Sequence, residues 1–291
     1  MKPKVTIGVC ARNSEKTIQQ AIDSAAAQDY DHKLMEMIFV DDGSTDLTLK
    51  MMQASISKVD FHVQIFTGEW RGIAKGRNTV VENAKGDYII WLDSDEVLVK
   101  DFVRKQVQLM DLNPQAAIAT GRMGIQPDMS LMLQLDLLPY ISEYLTKDWR
   151  DPSKLPGTGA TTFRLSAIKG VGGFNSTLSG ACEDIEVAYR MTQAGWSVVR
   201  GDSCFYETHG NMITIKELWK RSVRRGIHSR ELHCKSPLFF SFYTMNPVAS
   251  FVAGIRYSFL SFLVTKKKIS FLLTFYFPFK MTAWYYGFTK R

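Results

Sequence analysis

The stretch Asp87-Tyr-Ile-Ile-Trp-Leu-Asp-Ser-Asp-Glu96 constrains this chain more than any other. Tyr88 to Leu92 are apolar or aromatic without a break and follow Gly86, the pattern of a central strand buried on both faces of a sheet. Charge then returns at once. Asp93 and Asp95 stand at i and i+2 where such a strand leaves the sheet, and in open α/β sheets that carboxyl edge is where ligands bind. Clustered carboxylate oxygens suit Mg²⁺ or Mn²⁺, and an ion held by one or two carboxylates completes its shell with water and phosphate. A solvated acidic turn is the plainer reading of the same residues, and on this segment alone both stay open.

Strand and helix signals alternate ahead of this run. Residues 4–13 read as a first strand opening into a loop at Ala11 to Asn13. Ser14 to Gln28 reads as a helix capped by Ser14, with Ile18, Ala21, Ile22 and Ala25 along one face. The next strand, Met35 to Val40, ends in Asp41-Asp-Gly-Ser-Thr-Asp46. There Asp42 is placed to accept from a nucleotide base or ribose, while Thr45 or Asp46 can cap the helix expected over 47–58. A third strand is expected over Phe61 to Phe66, and Gly68 to Asn78 then forms a glycine-containing loop. Its Lys75 and Arg77 bring cations to a helix start, which suits a diphosphate. That loop lacks the spacing of a Walker motif or of GxGxxG, so a surface loop with a basic helix end fits it as well.

Further along, Ala116 to Gly121 reads as another buried strand, and Ser130 to Leu145 as apolar helical sequence broken at Pro139. Asp148 to Gly159, with two Pro and two Gly, reads as a mobile loop able to cover a site. Gly180 to Asp184 leads into a helix stopped by Gly195, and a carboxylate at such a helix start is stabilised as an anion. Trp196 to Arg200 reads as a strand. The basic amphipathic segment Ile215 to Ile227 sets Ile215, Leu218, Trp219, Ser222 and Val223 on one face. It fits a membrane interface, or a docked helix whose Arg221 or Arg224 reaches a diphosphate.

Taken in order, Val9-Cys-Ala-Arg-Asn13, Val40-Asp-Asp-Gly-Ser-Thr-Asp46, Gly72-Ile-Ala-Lys-Gly-Arg-Asn78, Gly86 to Asp95 and Gly172 to Gly195 resemble the family 2 glycosyltransferases. The resemblance covers roughly residues 4–227 and implies the GT-A fold: a Rossmann-like mixed α/β sheet flanked by helices, here followed by a basic, apolar helical tail. It implies a nucleoside-diphosphate sugar as donor and Mg²⁺ or Mn²⁺ as cofactor. Ala11 and Arg12 would line the base, Asp42 would hold the base or ribose, and Arg77 would face the diphosphate. Asp93 and Asp95 would be the family's DxD, with Asp95 favoured as the direct metal ligand. Glu183-Asp184 followed by Arg190 matches the family's active-site signature, with Asp184 as general base in an inverting displacement. His209 would help hold the metal or diphosphate. The chain departs from the family pattern at Cys10-Ala-Arg12, where Pro-Thr-Tyr is frequent, and at Glu96, where a third Asp is frequent.

Composition bears on partners. The net charge of +7 is divided: residues 215–291 hold 14 Lys and Arg against 2 Glu, while residues 1–214 hold 22 basic against 27 acidic side chains. A mildly acidic globule with a basic, apolar tail points to an anionic membrane surface rather than nucleic acid. Ser236 to Ile255 is free of charge but interrupted by Pro237 and Pro247, and Ile269 to Phe279 is only 11 residues long. Both favour in-plane helices or a shallow hairpin over two full spans. The organisation expected is a glycosyltransferase domain over 1–235, with a nucleotide-binding half (1–121) and an acceptor half (122–235), and a membrane-associating tail over 236–291. The start, Met1-Lys-Pro-Lys and then a strand, has no signal-peptide pattern, so the cytosolic face of the membrane and a lipid-linked or envelope glycan acceptor are expected. Four scattered cysteines with no CxxC argue against zinc and against a disulfide framework. The sequence leaves the oligomeric state open.

Two rival functions fit parts of the sequence. Trp91 to Leu98 also matches a haloacid-dehalogenase-type phosphatase with Asp93 as nucleophile, although that motif usually opens its fold. A non-catalytic membrane-surface protein would keep the tail, but it would not need Asp42, Asp95 and Asp184. An EF-hand fails because Leu98 stands where the loop requires Gly.

Overall fold

The computed structural model describes residues 3–126, 129–146, 155–178, 182–208, 214–235 and 246–290. In chain order these form β1 (Val5–Ala11), α1 (Ile18–Ala26), β2 (Met35–Asp41), α2 (Thr48–Ser55), β3 (His62–Thr67) and α3 (Ile73–Asn83). There follow β4 (Tyr88–Trp91), β5 (Glu96–Leu98), α4 (Phe102–Leu112), β6 (Ala116–Met123), α5 (Leu131–Thr146), β7 (Thr161–Arg164) and α6 (Leu165–Gly170). The last elements are α7 (Glu183–Gln193), β8 (Ser197–Glu207), α8 (Ile215–Lys235), α9 (Pro247–Thr265) and α10 (Leu273–Thr289). By contacts the chain divides into Met1–Arg122 with Leu155–Thr208, and Met123–Lys154 with His209–Arg291. Of residues 122–235, expected as one acceptor half, 155–208 complete the first of these units.

The first unit is built on a mixed sheet in the order β3-β2-β1-β4-β7-β6-β8-β5. β1, β2, β3 and β4 run parallel, while β7 pairs antiparallel with β4 and β6, and β5 with β8. The central strand expected from the sequence is β4, and all four of its residues are buried. Every residue of β2 is buried too, as a strand covered on both faces requires. The core contains Ile7, Ile38, Phe39, Ile89, Trp91 and Phe163, each at most 2% exposed. Full burial of such side chains contributes about 1.5–3 kcal/mol apiece. Trp91 meets Phe163 and Phe174 edge to face at 6.2 and 5.4 Å between ring centres.

Two local expectations are corrected. Ser14 does not cap α1: the helix begins at Ile18, and Ser14 instead accepts the amides of Thr17 and Ile18 on its carbonyl in a preceding turn. Its own amide is held by the Thr48 hydroxyl at 2.7 Å, a tertiary partner that local propensity does not reveal. Pro139 does not break α5, which runs through it over 16 residues. Leu133, Leu135, Leu137 and Leu138 are all at most 2% exposed, so packing outweighs the missing backbone hydrogen bond. Asp46 does serve α2, accepting the Thr48 amide at 2.9 Å.

The second unit consists of helices. Leu135 and Leu138 of α5, Leu218 of α8, and Leu273 and Tyr276 of α10 form its core. α8 and α10 approach through Gly226 and Gly287: a Cβ on either would fall 2.0 Å from a backbone carbonyl oxygen of the other helix. Thr214 and Glu217 start α8 as a reciprocal capping box, Thr214 Oγ1 accepting the Glu217 amide and Glu217 Oε2 accepting the Thr214 amide. Ile215, expected on the apolar face of α8, is 57% exposed, whereas Leu218 and Ser222 are buried. Asn246 caps α9 through the Val248 amide, and Lys266 in the left-handed region ends it. Val248–Thr265 is long and apolar enough to cross a membrane, with mean hydropathy 1.5 and 22% of it buried.

Candidate active site

The strand register brings the sequence's acids to one edge. Ala11 lies opposite Asp41, Asp41 opposite Thr67, and Gly8 opposite Trp91, so Arg12, Asp42 and Asp93 leave the sheet at the ends of three adjacent parallel strands. Asp42 accepts the amides of Arg71 at 2.8 Å and Gly72 at 3.1 Å, tying the end of β2 to the start of α3. Beside it a cavity of about 240 Å³, including space open to solvent, is lined by Asp42, Phe66, Thr67, Gly68 and Arg71. The Arg12 guanidinium stands 5.1 Å from the centre of the Trp70 ring, and Trp70 is 60% exposed. A flat, exposed cation–aromatic pair of this kind is a stacking surface for a planar ligand.

Arg77 is the hub. It is 6% exposed on α3, its guanidinium lies over the rings of Trp91 and Phe174 at 5.9 and 5.7 Å, and it pairs with Glu183 at the start of α7. Its other nitrogen approaches Asp93 Oδ1 at 3.5 Å. Asn78, the next residue of α3, holds Phe174 in place by donating to its carbonyl and accepting its amide, both at 2.8 Å. Arg77 therefore links the end of β4 to the Glu183-Asp184 pair.

Acids outnumber cations around it. Burial raises the Asp93 carboxyl above its ordinary range; Arg77 opposes this, and the like charges of Asp95 and Asp184 add to it. Burial, then Asp184, pushes Glu183 up to about 7 against the pull of Arg77. Glu183 Oε2 is buried with no hydrogen-bond partner among the described residues. Glu96 is 4% exposed, and burial, Asp93 and Asp95 raise it well above the usual carboxylate range. Its Oε2 accepts the amides of Asp93 at 3.2 Å and Ala160 at 3.0 Å, fastening the Asp93 loop to the segment ahead of β7.

That segment needs its glycines. A Cβ at Gly157 would fall 2.7 Å from Asp184 Oδ2, and one at Gly159 would fall 2.5 Å from Glu96 Oε1. The backbone at 157–160 thus lies against two acids of the cluster, where no side chain fits. The rest of the loop expected to cover the site, residues 148–154, lies outside the described residues. Cys10 sits under the hub with its thiol pushed up to about 12 by burial, packed 3.4 Å from where a Gly76 Cβ would be.

Arg77, Asp93, Asp95, Glu183 and Asp184 are therefore brought together, and Ala11, Arg12 and Asp42 stand along the same edge. Arg190 is not in the cluster. Its guanidinium donates to Glu186 and to the carbonyls of Val171 and Gly173, pinning the turn before Phe174 to α7. Arg224 lies exposed on α8, in the helical unit. His209 lies outside the described residues. Sequence reasoning gave no role to Glu96, Trp70, Asn78 or Gly157 and Gly159. Of these only Glu96 carried a signal, as the third acid of its run.

The donor set fits a divalent cation. Asp93 is repelled by Asp95 and Asp184 even as Arg77 attracts it, and a cation between the acids would relieve that repulsion. Among the described residues no three His, Cys, Asp or Glu are grouped to hold a metal ion by themselves. The chain would supply one or two carboxylates, leaving the other positions to phosphate and water, as Mg²⁺ sites commonly do.

The sheet order and flanking helices define the GT-A architecture of nucleotide-sugar transferases. A solved structure with the same fold is the mannosyltransferase PcManGT from Pyrobaculum calidifontis in complex with GDP-Man and Mn²⁺. It gives a TM-score of 0.64 at 19% identity, over 90% of this chain and 72% of that one. The family model for glycosyl transferase family 2 matches residues 6–170, and the chain belongs to that family. The putative teichuronic acid biosynthesis glycosyltransferase TuaG of Bacillus subtilis is 34% identical over 79% of this chain and 89% of its own length. The poly(ribitol-phosphate) β-N-acetylglucosaminyltransferase TarS of Staphylococcus aureus is 31% identical over 37% of this chain and 19% of its own length. The chain thus spans less than half the length of several curated relatives it matches. Membership in the family sets aside the phosphatase reading of Asp93.

Proposed function

We propose that the acid-rich edge binds a nucleoside-diphosphate sugar with Mg²⁺ or Mn²⁺ and that the enzyme transfers the sugar with inversion to an envelope glycan or lipid-linked acceptor. The observation that carries this reading is the convergence of Asp93, Glu183 and Asp184 on one buried arginine, with Asp95 beside Asp93. The base would stack at Arg12 and Trp70 beside Asp42, with Ala11 beneath it. Asp93 and Asp95 would hold the metal, which supplies charge stabilisation for the departing diphosphate. Arg77, whose charge already neutralises Asp93 and Glu183, would keep the diphosphate end of the pocket from being wholly anionic. Asp184, with Oδ1 fixed by the Ile185 amide at 2.8 Å, would take the proton from an acceptor hydroxyl. A phosphate acceptor arrives ionised and would not need this step. Glu183 would act by holding Arg77 in place.

TuaG is named for teichuronic acid biosynthesis and TarS for transfer to poly(ribitol-phosphate), which supports a glycan or polymer acceptor. The basic helical tail would keep the enzyme on the anionic cytosolic face of the membrane. The test is a thermal-shift screen of nucleoside-diphosphate sugars with and without Mn²⁺. Binding the folded state raises apparent stability by mass action, about 2.7 kcal/mol at a hundredfold excess over Kd. A donor that stabilises the protein only with Mn²⁺, and not the Asp95→Ala variant, supports the reading. Stabilisation that ignores both metal and Asp95 removes it.

A further inference from the structure

The loop that carries Asp93 and Asp95 is fastened from several sides. Asp93 and Glu96 close it on each other: the Glu96 amide donates to the Asp93 carbonyl at 3.0 Å, and the Asp93 amide donates to Glu96 Oε2 at 3.2 Å. Between them the Ser94 hydroxyl donates to the Ser14 hydroxyl at 2.8 Å, and the Asp95 carbonyl accepts the amide and hydroxyl of Thr208 at 2.7 and 2.9 Å. Glu96 opens β5 and stands opposite Glu207 of β8, so its backbone is set by the sheet. The same Oε2 also accepts the Ala160 amide at 3.0 Å. One carboxylate oxygen therefore joins two segments 64 residues apart in the chain.

Ala160 is the strained side of that contact. It is fully buried with a φ of 40°, the left-handed backbone that a residue with a Cβ avoids. Such a conformation persists only where its surroundings impose it. Here both of its backbone groups are held, the amide by Glu96 and the carbonyl by the Gly121 amide at 3.2 Å. Three residues earlier, a Cβ at Gly157 would fall 2.7 Å from Asp184 Oδ2, so the strap 157–160 runs from Glu96 to the wall behind Asp184. Gly159 makes room for the acid. A Cβ there would fall 2.5 Å from Glu96 Oε1, and Gly159 lies outside the left-handed region, so the reach of Glu96 rather than backbone strain excludes a side chain. A free carboxylate would swing aside, but this one is held by two amides.

We propose that Glu96 is a positioning residue whose length, rather than its charge, sets the spacing between the Asp93 loop and the strap against Asp184. Its effect on transfer rests on the reading of Asp93 as metal ligand and Asp184 as base; its two hydrogen bonds do not. An aspartate at this position keeps the charge but draws the oxygens back by one methylene. Starting from 3.0 and 3.2 Å, neither amide then stays within hydrogen-bonding distance, and β5 is not free to follow. A glutamine does the opposite, keeping the length and an acceptor oxygen while losing the charge. The two substitutions therefore separate reach from charge.

The experiment compares full-length wild type, Glu96→Asp and Glu96→Gln, each first matched to wild type by circular dichroism. In the metal-free protein, hydrogen exchange at the Asp93 and Ala160 amides reads the two contacts directly. Both should exchange about tenfold faster or more in Glu96→Asp, because hydrogen bonds to a charged group are strong, and Glu96→Gln should keep most of the protection. At saturating Mn²⁺, Glu96→Asp should lose about a hundredfold in kcat with the donor KM little changed, as displaced reacting groups do, and Glu96→Gln should recover most of it. Unchanged exchange in Glu96→Asp would overturn the positioning role. So would transfer that survives in Glu96→Asp and is lost in Glu96→Gln, which would make charge the useful property. If Glu96→Asp did not fold, Glu96→Gln decides alone: a kcat loss as large as that expected of Glu96→Asp would overturn the length argument. A stability cycle adds an arm free of both metal and donor. Gly159→Ala should lower the urea midpoint in wild type and lower it less in Glu96→Asp, where the oxygen has withdrawn; additive losses would overturn the fit between the two residues. The exchange and urea arms still decide Glu96 if no donor is ever bound, whereas unchanged exchange with Mn²⁺-dependent donor binding intact would overturn the positioning role alone.

Discussion

The two edges of the sheet hold charge in opposite ways. At the amino edge Lys4 pairs with Asp87 at 3.4 Å and Asp111 at 3.0 Å, and Tyr88 donates to Asp111 at 2.6 Å. There Arg164 donates to the carbonyls of Ala116, Met110 and Asn113. Lys4, Tyr88 and Arg164 are each partnered there, and the buried Glu36 is held by the Thr6 hydroxyl and the amides of Lys85 and Gly86, although its Oε2 has no partner among the described residues. At the carboxyl edge Asp93, Asp95, Glu96, Glu183 and Asp184 gather around Arg77, and burial with like charges raises three of them. Size would mislead here: the crevice at the amino edge spans about 760 Å³, against about 240 Å³ beside Asp42, both including space open to solvent. Unbalanced charge, rather than volume, separates a place built to receive a ligand from a crevice.

The largest way to sharpen the contrast is to remove an acid at the carboxyl edge. Asp95→Ala should cost on the order of 10³–10⁴-fold in transfer, since a metal's charge stabilisation is worth several kcal/mol. The measurement is initial rate at saturating Mn²⁺; a loss under tenfold would break the assignment of Asp95. Next is the hub itself. Arg77→Met leaves Glu183 and Asp93 crowded without their cation, and breaking a buried pair from one side costs about 3–5 kcal/mol. Urea unfolding checks this, and a cost below about 1 kcal/mol would mean the pair is not buried in solution.

Much of this edge could be read from residues alone, and the reasons differ by residue. Tyr88 to Trp91 form the central strand because an unbroken apolar run has one stable environment, and the acids after it must emerge where the sheet ends. Pairing partners are another matter. Nothing in the run around Asp93 announces that Glu96 folds back to accept the amides of Asp93 and Ala160, 64 residues apart from the latter. Arg190 shows the reverse: its spacing matches a family signature, and its donors hold a turn together. Pro139 was read by local rule and the helix continued, because four buried leucines decide that segment. Local pattern gives elements and their ends; contacts across the sheet decide which end-residues meet.

A smaller effect is the pH response of Glu183. Its carboxyl rises from the ordinary 4.5 to about 7 in the folded protein, so the folded state binds its proton more tightly than the unfolded chain does. The sign follows: this contribution is full below pH 4.5 and is lost as pH rises through 7. A shift of that size corresponds to up to about 3 kcal/mol. Glu183→Gln should flatten the fall in stability between pH 4.5 and 7, measured by urea midpoints at several pH values, and an unchanged slope would place the titration on another group.

The smallest effect is expected at the amino edge, and it is the control for the others. Lys4 is 29% exposed and its partners Asp87 and Asp111 are 45% and 48% exposed, so water already solvates all three charges. Pairs of this kind are worth about 0–1 kcal/mol. Lys4→Met should therefore cost no more than about 1 kcal/mol, lose even that at high salt, and leave Mn²⁺-dependent donor binding as in wild type. The comparison turns on the difference between edges rather than on either value: if Lys4→Met destabilised the protein as much as Arg77→Met, paired and unpaired charge would be energetically alike in this sheet, and charge imbalance would lose its force as the mark of the site.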